Sequence, residues 1–234
     1  MSANSPVLIC RCAGRNLLQQ EALETLLQQG GPAVVPDLCA AAAENNPILG
    51  TIAAADTPIV YACHPRAVRA LFAFAGSPLP ATAEIINLRT SPHTQTPPIP
   101  ASDPAWFPVL DETRCTNCGQ CFEFCLFGVY GKDASGQVRV VNPSSCKNNC
   151  PACARICPAA AIIFPKVGES PINGAEISDE KELRENIKIN LDELLGDDVY
   201  AALNARKQKR RSLLNQKKIE QALAERKSRS KGNV

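Results

Sequence analysis

Residues 115–157 read CTNCGQCFEFCLFGVYGKDASGQVRVVNPSSCKNNCPACARIC, and this stretch decides the fold around it. Eight of the 12 cysteines in the 234-residue chain lie within these 43 residues. They form two runs of four, Cys115-x2-Cys118-x2-Cys121-x3-Cys125 and Cys146-x3-Cys150-x2-Cys153-x3-Cys157. Two or three residues between cysteines let a tight loop direct several sulfurs at one metal centre, so we expect these cysteines to bind metal.

The spacing of these runs, with Pro158 after the second, resembles that of the bacterial two-cluster ferredoxins. In that family the fourth cysteine of each run ligates the other cluster. The resemblance implies one [4Fe–4S] cluster on Cys115, Cys118, Cys121 and Cys157. It implies a second cluster on Cys146, Cys150, Cys153 and Cys125. Two positions depart from the family pattern: Leu126 replaces a proline, and three residues instead of two separate Cys146 from Cys150.

Disulfides and zinc are the competing explanations of so many cysteines. An even count in a secreted chain indicates a disulfide framework, but the N-terminal sequence lacks the basic and apolar segments of a signal peptide. No apolar stretch approaches the roughly 18 residues of a membrane span. We therefore expect a reducing, cytoplasmic location with metal-bound thiolates. Paired Cys-x2-Cys knuckles also hold zinc, but two runs of four favour iron–sulfur clusters.

Residues 109–166 contain an internal repeat that includes both cysteine runs. Residues 109–115 align with residues 140–146, and residues 129–130 align with residues 161–162. Each half is predicted to be a short strand, a cysteine loop, a short helix and a second strand. The sequence thus predicts an α+β ferredoxin domain that binds two clusters.

Residues 1–90 are predicted to form an α/β domain with a small parallel sheet. Apolar segments predict strands at 7–10, 33–35, 58–62 and 84–88, with helices at 16–29, 47–55 and 65–75. Strands that alternate with helices pair in parallel through right-handed crossovers. This order places the four remaining cysteines at or just beyond strand ends: Cys10, Cys12, Cys39 and Cys63.

Ligands bind at the carboxyl edge of open α/β sheets, so we predict a third iron–sulfur cluster on Cys10, Cys12, Cys39 and Cys63. Two alternatives stay open at this point. Free cysteines are often small apolar core residues, and a thiol before a helix N-terminus can be redox-active. His64 adjoins Cys63 and is a candidate to tune or ligate a metal, although a polar residue at a strand end needs no such role.

Scattered segments of residues 6–90 point to a second family. They are Cys10-Arg-Cys12-Ala-Gly14, Leu38-Cys39, Tyr61-Ala-Cys63-His-Pro-Arg66, Phe72, Ala75-Gly76 and Ile86-Asn-Leu-Arg89. They resemble the N-terminal domain of the flavin-bearing subunit of heterodisulfide reductase, which is an iron–sulfur module. The resemblance implies a flavoprotein or a heterodisulfide-reductase-like complex as partner. No G-x-G-x-x-G occurs in the chain, so nothing predicts a flavin or nicotinamide of its own.

Two further segments complete the predicted organisation. Residues 91–108 contain six prolines and are predicted to be an extended linker. Residues 167–234 are predicted to be a charged helical extension, acidic at 167–198 (3 Lys+Arg, 10 Asp+Glu) and basic at 199–234 (11 and 2). The basic run at residues 206–211 is a candidate nucleic-acid contact. No aromatic residue follows Tyr200, so we favour docking on an acidic protein surface instead.

The predicted function is an electron-transfer iron–sulfur protein that serves as a subunit or partner of a larger oxidoreductase complex. Its redox partners are proteins, and no catalytic residue is predicted because cluster placement suffices. Two other functions remain open. One is a redox enzyme subunit that reduces a disulfide or small substrate at Cys10, Cys12, Cys39 and Cys63. The other is an iron–sulfur sensor whose basic tail binds nucleic acid.

Overall fold

A computed structural model describes residues 5–12, 17–28, 31–89 and 105–181 of the chain. The N-terminal region contains four strands: β1 (Val7–Cys10), β2 (Ala33–Val35), β3 (Ile59–Ala62) and β4 (Glu84–Asn87). They form one sheet in the order β2-β1-β3-β4, and every neighbouring pair is parallel. The predicted small parallel sheet is therefore confirmed, with the carboxyl ends of its strands at one edge.

Four helices accompany this sheet: α1 (Gln20–Gln28), α2 (Leu38–Ala43), α3 (Pro47–Ala53) and α4 (Pro65–Phe74). Helices α3 and α4 both begin with proline, whose fixed φ suits the first helical position. The predicted helix start at residue 16 is wrong. Leu18 forms a β-bridge with Arg89 instead, so α1 begins only at Gln20.

Helix α2 was not predicted, because its run of small residues shows no apolar period. Its N-cap is Asp37, whose Oδ1 accepts a hydrogen bond from Cys39 N at 2.9 Å. A carboxylate at the N-cap satisfies an otherwise unpaired amide of the first turn. This cap brings Cys39 into the first turn of a helix, close to the end of β2.

The cysteine-rich region contains two antiparallel strand pairs and two short helices. Its elements are β5 (Val109–Leu110), α5 (Gln120–Phe124), β6 (Tyr130–Lys132), β7 (Val138–Val140), α6 (Ala152–Arg155) and β8 (Ile162–Ile163). Strand β5 pairs with β8, and β6 pairs with β7. The predicted repeat of strand, cysteine loop, helix and strand is confirmed in both halves.

The cysteine-rich region has a hydrophobic cluster of its own, which includes Trp106, Tyr130 and Phe164, and part of this region also packs into the core of the parallel sheet. Phe107, Val109 and Ile163 pack with the buried residues of the parallel sheet. The rings of Phe74 and Phe107 lie 5.1 Å apart. The described residues up to Asp179 belong to one compact unit. Of the predicted linker, residues 105–108 are described, and there Trp106 and Phe107 are buried.

Residues 167–179 consist of turns, bends and extended chain that pack on the same unit. Gly174 has a φ of +89°, and a Cβ there would lie 2.6 Å from the Cβ of Ala67 on α4. Only glycine fits such a close approach with that backbone conformation. The helical extension predicted for residues 167–234 is therefore wrong for residues 167–179, and its part beyond residue 181, with the basic run, lies outside the described residues. In the part of the chain that is described, no helix is long and apolar enough to cross a membrane.

Candidate metal centres

The first group of cysteines lines one cavity. Its members are Cys115, Cys118, Cys121 and Cys157. Cys115 and Cys118 come from the loop between β5 and α5, Cys121 lies in the first turn of α5, and Cys157 comes from the segment just after α6. Apolar side chains of β5, β7 and β8 close the cavity beneath them. The structure therefore brings together the four cysteines that the ferredoxin resemblance implies for one cluster.

The loop of the first run is fixed by its own polar contacts. Asn117 Oδ1 accepts a hydrogen bond from the amide of Val138 at 2.8 Å, and Asn117 has a φ of +54°. Gly119 follows with a φ of +79° at the N-cap of α5. Asparagine and glycine tolerate this left-handed conformation better than other residues. Asn117 and Gly119, on either side of Cys118, thus allow the loop to turn as it passes the cysteines of the first run.

The second group contains Cys125, Cys146, Cys150 and Cys153. Burial, followed by the nearby thiols of Cys153, Cys150 and Cys125, raises the pKa of Cys146 to about 12. Burial also raises the pKa of Cys121 to about 12, with a contribution from Cys157. The electrostatic neighbours of each run thus include the fourth cysteine of the other run, as the resemblance implies.

Hydrogen bonds reach the sulfurs of both groups. The hydroxyl of Tyr130 donates a hydrogen bond to Cys153 Sγ at 3.1 Å in a buried position. Burial, followed by the charge of Cys153, raises the pKa of Tyr130 well above its ordinary value, so the phenol stays a donor. The amide of Ala161 donates to Cys157 Sγ at 3.4 Å. Donors to ligand sulfurs tune the reduction potential of iron–sulfur clusters.

The donor set of both groups suits an iron–sulfur core. None of the 12 cysteines forms a disulfide, so their sulfurs are available as ligands. Each group consists of four cysteines, and thiolates are the soft ligands that iron–sulfur clusters take. Such a core also supplies the positive charge that buried thiolates require.

The third group lies at the carboxyl edge of the parallel sheet. Cys10 ends β1, Cys12 follows it with a φ of +50°, Cys39 lies in α2 and Cys63 follows β3. All four line one cavity. The amides of Cys12 and Leu38 each donate a hydrogen bond to Cys10 Sγ at 3.3 Å. The predicted convergence of the four cysteines is thus present, and a cluster there stays a prediction.

The environment of the third group disfavours a reactive thiol. Burial is the main cause that raises the pKa of each of its four thiols, that of Cys63 to about 12. A nucleophilic thiol needs the opposite shift, toward the thiolate. The apolar-core alternative also fits poorly, since Lys166 and Asp37 line the same cavity. Charged side chains are rarely buried beside apolar filler residues.

Three charged residues near this cavity were missed as functional candidates. Lys166 forms a buried ion pair with Asp37, and Arg89 donates hydrogen bonds to the carbonyl oxygens of Pro165 and Val167. The N-cap position of Asp37 before Cys39 could have been found from the sequence. Lys166 could not, because it follows β8 and is far from the N-terminal cysteines along the chain.

His64, considered above as a residue that tunes or ligates a metal, does not line the cavity of the third group. The cavity is lined by the four cysteines and by Leu18, Asp37, Leu38, Leu71, Pro165 and Lys166, without His64. His64 occupies the N-cap position of α4. Its Nδ1 lies 3.1 Å from Nδ2 of Asn87, the last residue of β4. Burial, then the charges of Arg89 and Arg66, lowers its pKa to about 4, so the ring is neutral at pH 7.

Comparison with known proteins agrees with the geometry of the first two groups. The family described as a 4Fe-4S dicluster domain matches residues 107–186. A protein of Methanocaldococcus jannaschii, described as an uncharacterized ferredoxin, is 47% identical over 64 residues, or 27% of this chain. The matched stretch spans 43% of the length of that relative. No solved structure matches the chain significantly.

One prediction is thereby confirmed: residues 107–186 are a ferredoxin-like 4Fe-4S dicluster domain, which holds two [4Fe–4S] clusters. The family match begins at residue 107, so the N-terminal resemblance to heterodisulfide reductase stays a prediction.

Proposed function

We propose that the chain relays electrons between its two ferredoxin clusters and a third iron–sulfur cluster, as a subunit of a larger oxidoreductase complex. The third cluster would be held by Cys10, Cys12, Cys39 and Cys63. The observation that carries this proposal is the cavity that these four cysteines line. They come from three separate segments of the sheet edge, where chance convergence of four thiols is improbable and ligand sites are common.

The ligands of the two ferredoxin clusters follow the crossed pattern. Cys115, Cys118, Cys121 and Cys157 would hold one cluster, and Cys146, Cys150, Cys153 and Cys125 the other. The shared cavity supports the first set, and the mutual electrostatic effects of the thiols support the second. The crossing joins the two halves of the repeat, because neither half supplies a complete ligand set.

The three sites lie in one compact unit, which is what a relay requires. Cys153 of the second group contributes to the raised pKa of Cys121 in the first, so these two sites are neighbours. Pro165 and Lys166, which line the third site, follow β8 of the cluster-binding region by only a few residues. A [4Fe–4S] cluster supplies reversible one-electron chemistry when bound. The protein contributes apolar walls, sulfur hydrogen bonds and buried charge.

An exposed apolar surface beside the clusters supports docking of a redox protein. Four large apolar side chains of α5 and the turn after it are exposed: Phe122, Phe124, Leu126 and Phe127. The first two lie between the predicted ligands Cys121 and Cys125, and the other two follow Cys125. Leu126 alone is 90% exposed. Contiguous apolar side chains on a surface mark protein contact sites. The resemblance to the flavin-bearing subunit of heterodisulfide reductase supports a flavoprotein as the partner in the complex.

An anaerobic reductive titration tests the relay. The full chain, titrated with dithionite and followed by electron paramagnetic resonance, should accept about three electrons at one per [4Fe–4S] cluster. The Cys63→Ser variant should accept about two, because one ligand of the third cluster is lost. Uptake of about two electrons by both proteins would refute the third cluster and leave the ferredoxin pair.

Membership in a complex needs a separate experiment. Anaerobic purification of the tagged chain from its native host should recover a flavin-containing subunit in a fixed ratio. Substitution of the exposed Phe124 and Leu126 by serine should reduce that recovery without loss of iron. Recovery of the chain alone, with full iron content and no flavin, would contradict the proposed complex.

A further inference from the structure

Lys166 is buried at the third cysteine site although it belongs to the cluster-binding region. Its side chain is only 3% exposed and lines the same cavity as Cys10, Cys12 and Cys39. Its ammonium group forms an ion pair with Asp37. Asp37 in turn caps α2 through the amide of Cys39. The charge of Lys166 is therefore held at the cysteines by a carboxylate that is itself fixed to the backbone.

Arg89 fixes the backbone on both sides of Lys166. Its Nη1 and Nη2 donate hydrogen bonds to the carbonyl oxygens of Pro165 and Val167. Arg89 is placed at the end of the sheet by its β-bridge with Leu18. A planar guanidinium can hold two acceptors at once, which a lysine cannot do with the same geometry. The peptide that carries Lys166 is thus held in one position against the sheet edge.

A purely structural role would end with this fastening of two regions. The surroundings of the ion pair indicate more, because the pair lies within a cavity lined by four thiols and not within a plain apolar interface. Charges interact strongly where water is excluded. Any change in the negative charge held by the cysteines therefore changes the energy of Lys166, and the reverse is also true.

We infer that Lys166 is a positioning residue that raises the reduction potential of the N-terminal cluster. The inference rests on the third cluster proposed above. One-electron reduction adds one negative charge to the group held by the cysteines, and a fixed cation beside them stabilises that charge. The electron comes from the neighbouring ferredoxin clusters. Asp37 acts in the opposite direction, since its carboxylate opposes added negative charge.

The test is a redox titration of the full chain, followed by electron paramagnetic resonance. In Lys166→Gln, the potential of one cluster should shift downward, while the other two clusters keep theirs. Lys166→Arg should keep the wild-type potential, because the positive charge is retained. Asp37→Asn should shift the same cluster upward, and an asparagine still caps α2. A structural role predicts no shift of opposite sign in this pair of variants.

Arg69→Gln provides a control, because Arg69 donates hydrogen bonds to the carbonyl oxygens of Pro80 and Ala83, which precede β4 and so lie at the end of the sheet opposite the cysteines. Its substitution should shift no cluster potential. If Lys166→Gln and Asp37→Asn both keep three clusters at wild-type potentials, the inference is overturned. If Lys166→Gln loses the third cluster outright, Asp37→Asn decides, and an unchanged potential there overturns the inference.

Iron counting separates this inference from the proposal on which it rests. About 12 irons per chain in the wild type and in Lys166→Gln, with equal potentials, would refute the role of Lys166 only. About 8 irons in the wild type would refute the third cluster itself, and the role of Lys166 with it.

Discussion

Tyr130 shows how one side chain acts on the chemistry of a site without being a ligand. Its hydroxyl donates to Cys153 Sγ at 3.1 Å, and the residue is 5% exposed. A donor to a ligand sulfur stabilises the more negative, reduced form of a cluster. Phenylalanine at this position would keep the packing of the ring but would remove the hydrogen bond to Cys153.

Tyr130→Phe should therefore lower the reduction potential of one ferredoxin cluster while both clusters remain bound. A hydrogen bond of about 1 kcal/mol corresponds to about 40 mV for one electron. Protein-film voltammetry of the wild type and the variant measures the shift. An unchanged potential at full iron content would show that this hydrogen bond does not tune the cluster.

Leu126 is a departure from the ferredoxin pattern that the backbone makes tolerable. The preceding residue, Cys125, has a φ of −71° and a ψ of 114°, the extended conformation that a following proline requires. The side chain of Leu126 is 90% exposed. Both observations indicate that proline fits this position without rearrangement.

Leu126→Pro should keep the full iron content, and its thermal midpoint should equal that of the wild type or exceed it slightly. The gain is about 0.4–1 kcal/mol from reduced freedom of the unfolded chain. Differential scanning calorimetry of the cluster-loaded protein measures it. Loss of iron in this variant would mean that the leucine has a role in holding the cluster next to Cys125.

At the residue scale, the sequence identifies candidate ligands more readily than the side chains that surround them. Cysteine spacing and strand order identify all 12 candidate ligands, because both patterns are local. Lys166 and Asp37 escape such reasoning, since their pairing depends on how β8 meets the sheet edge. His64 shows the converse limit: its place next to Cys63 in sequence does not bring it into the cavity lining.

At the scale of elements, the crossed ligand pattern makes a specific prediction about pairs of substitutions. Cys157→Ser and Cys121→Ser should each remove the same cluster, so the double variant should lose no more iron than either single one. Cys125→Ser combined with Cys121→Ser should remove two clusters, or about 8 irons instead of about 4. Iron analysis after anaerobic reconstitution distinguishes the two patterns. The reverse pattern, with about 8 irons lost in the Cys121 and Cys157 double variant and about 4 in the Cys121 and Cys125 one, would contradict the crossing.

Element boundaries were predictable where a single local signal sets them. Strands β1 and β2 and the proline starts of α3 and α4 lie where the sequence places them. The start of α1 was wrong because a bridge between Leu18 and Arg89, distant in sequence, holds the chain extended. Helix α2 was missed because its alanines give no periodic signal, although its Asp37 cap is visible in the sequence.

At the scale of the whole molecule, Arg66 joins the parallel sheet region to the cluster-binding region. It forms an ion pair with Asp111 at 3.0 Å and donates hydrogen bonds to the carbonyl oxygens of Ala160 and Ala175, both at 2.8 Å. The side chains of Arg66 and Asp111 are 16% and 12% exposed. One side chain thus contacts three segments of the cluster-binding region and its C-terminal continuation.

Arg66→Ala should destabilise the cluster-loaded protein by about 3 kcal/mol, because it leaves a largely buried carboxylate and two carbonyls without their donor. Arg155→Ala removes an exposed ion pair and should cost less than about 1 kcal/mol. Urea unfolding under anaerobic conditions, followed by circular dichroism, compares the two. Equal and small effects would mean that the two regions do not depend on this contact.

The joining of the two regions was not predictable from the sequence. A proline-rich segment between two cysteine-bearing regions suggests two separate bodies, and composition carries no sign of the contacts made by Arg66, Arg89 and Lys166. These contacts depend on side chains that approach from distant parts of the chain. They place the N-terminal cysteines beside the end of the cluster-binding region, and the proposed relay depends on that placement.

The count of iron and acid-labile sulfide per chain tests the central claim most directly. After anaerobic purification, the full chain should hold about 12 irons and 12 sulfides, and Cys39→Ser should hold about 8 of each. Cys157→Ser should also hold about 8 of each, because it loses one of the ferredoxin clusters instead of the third cluster. A wild-type count of about 8 that Cys39→Ser leaves unchanged would contradict the three-cluster relay.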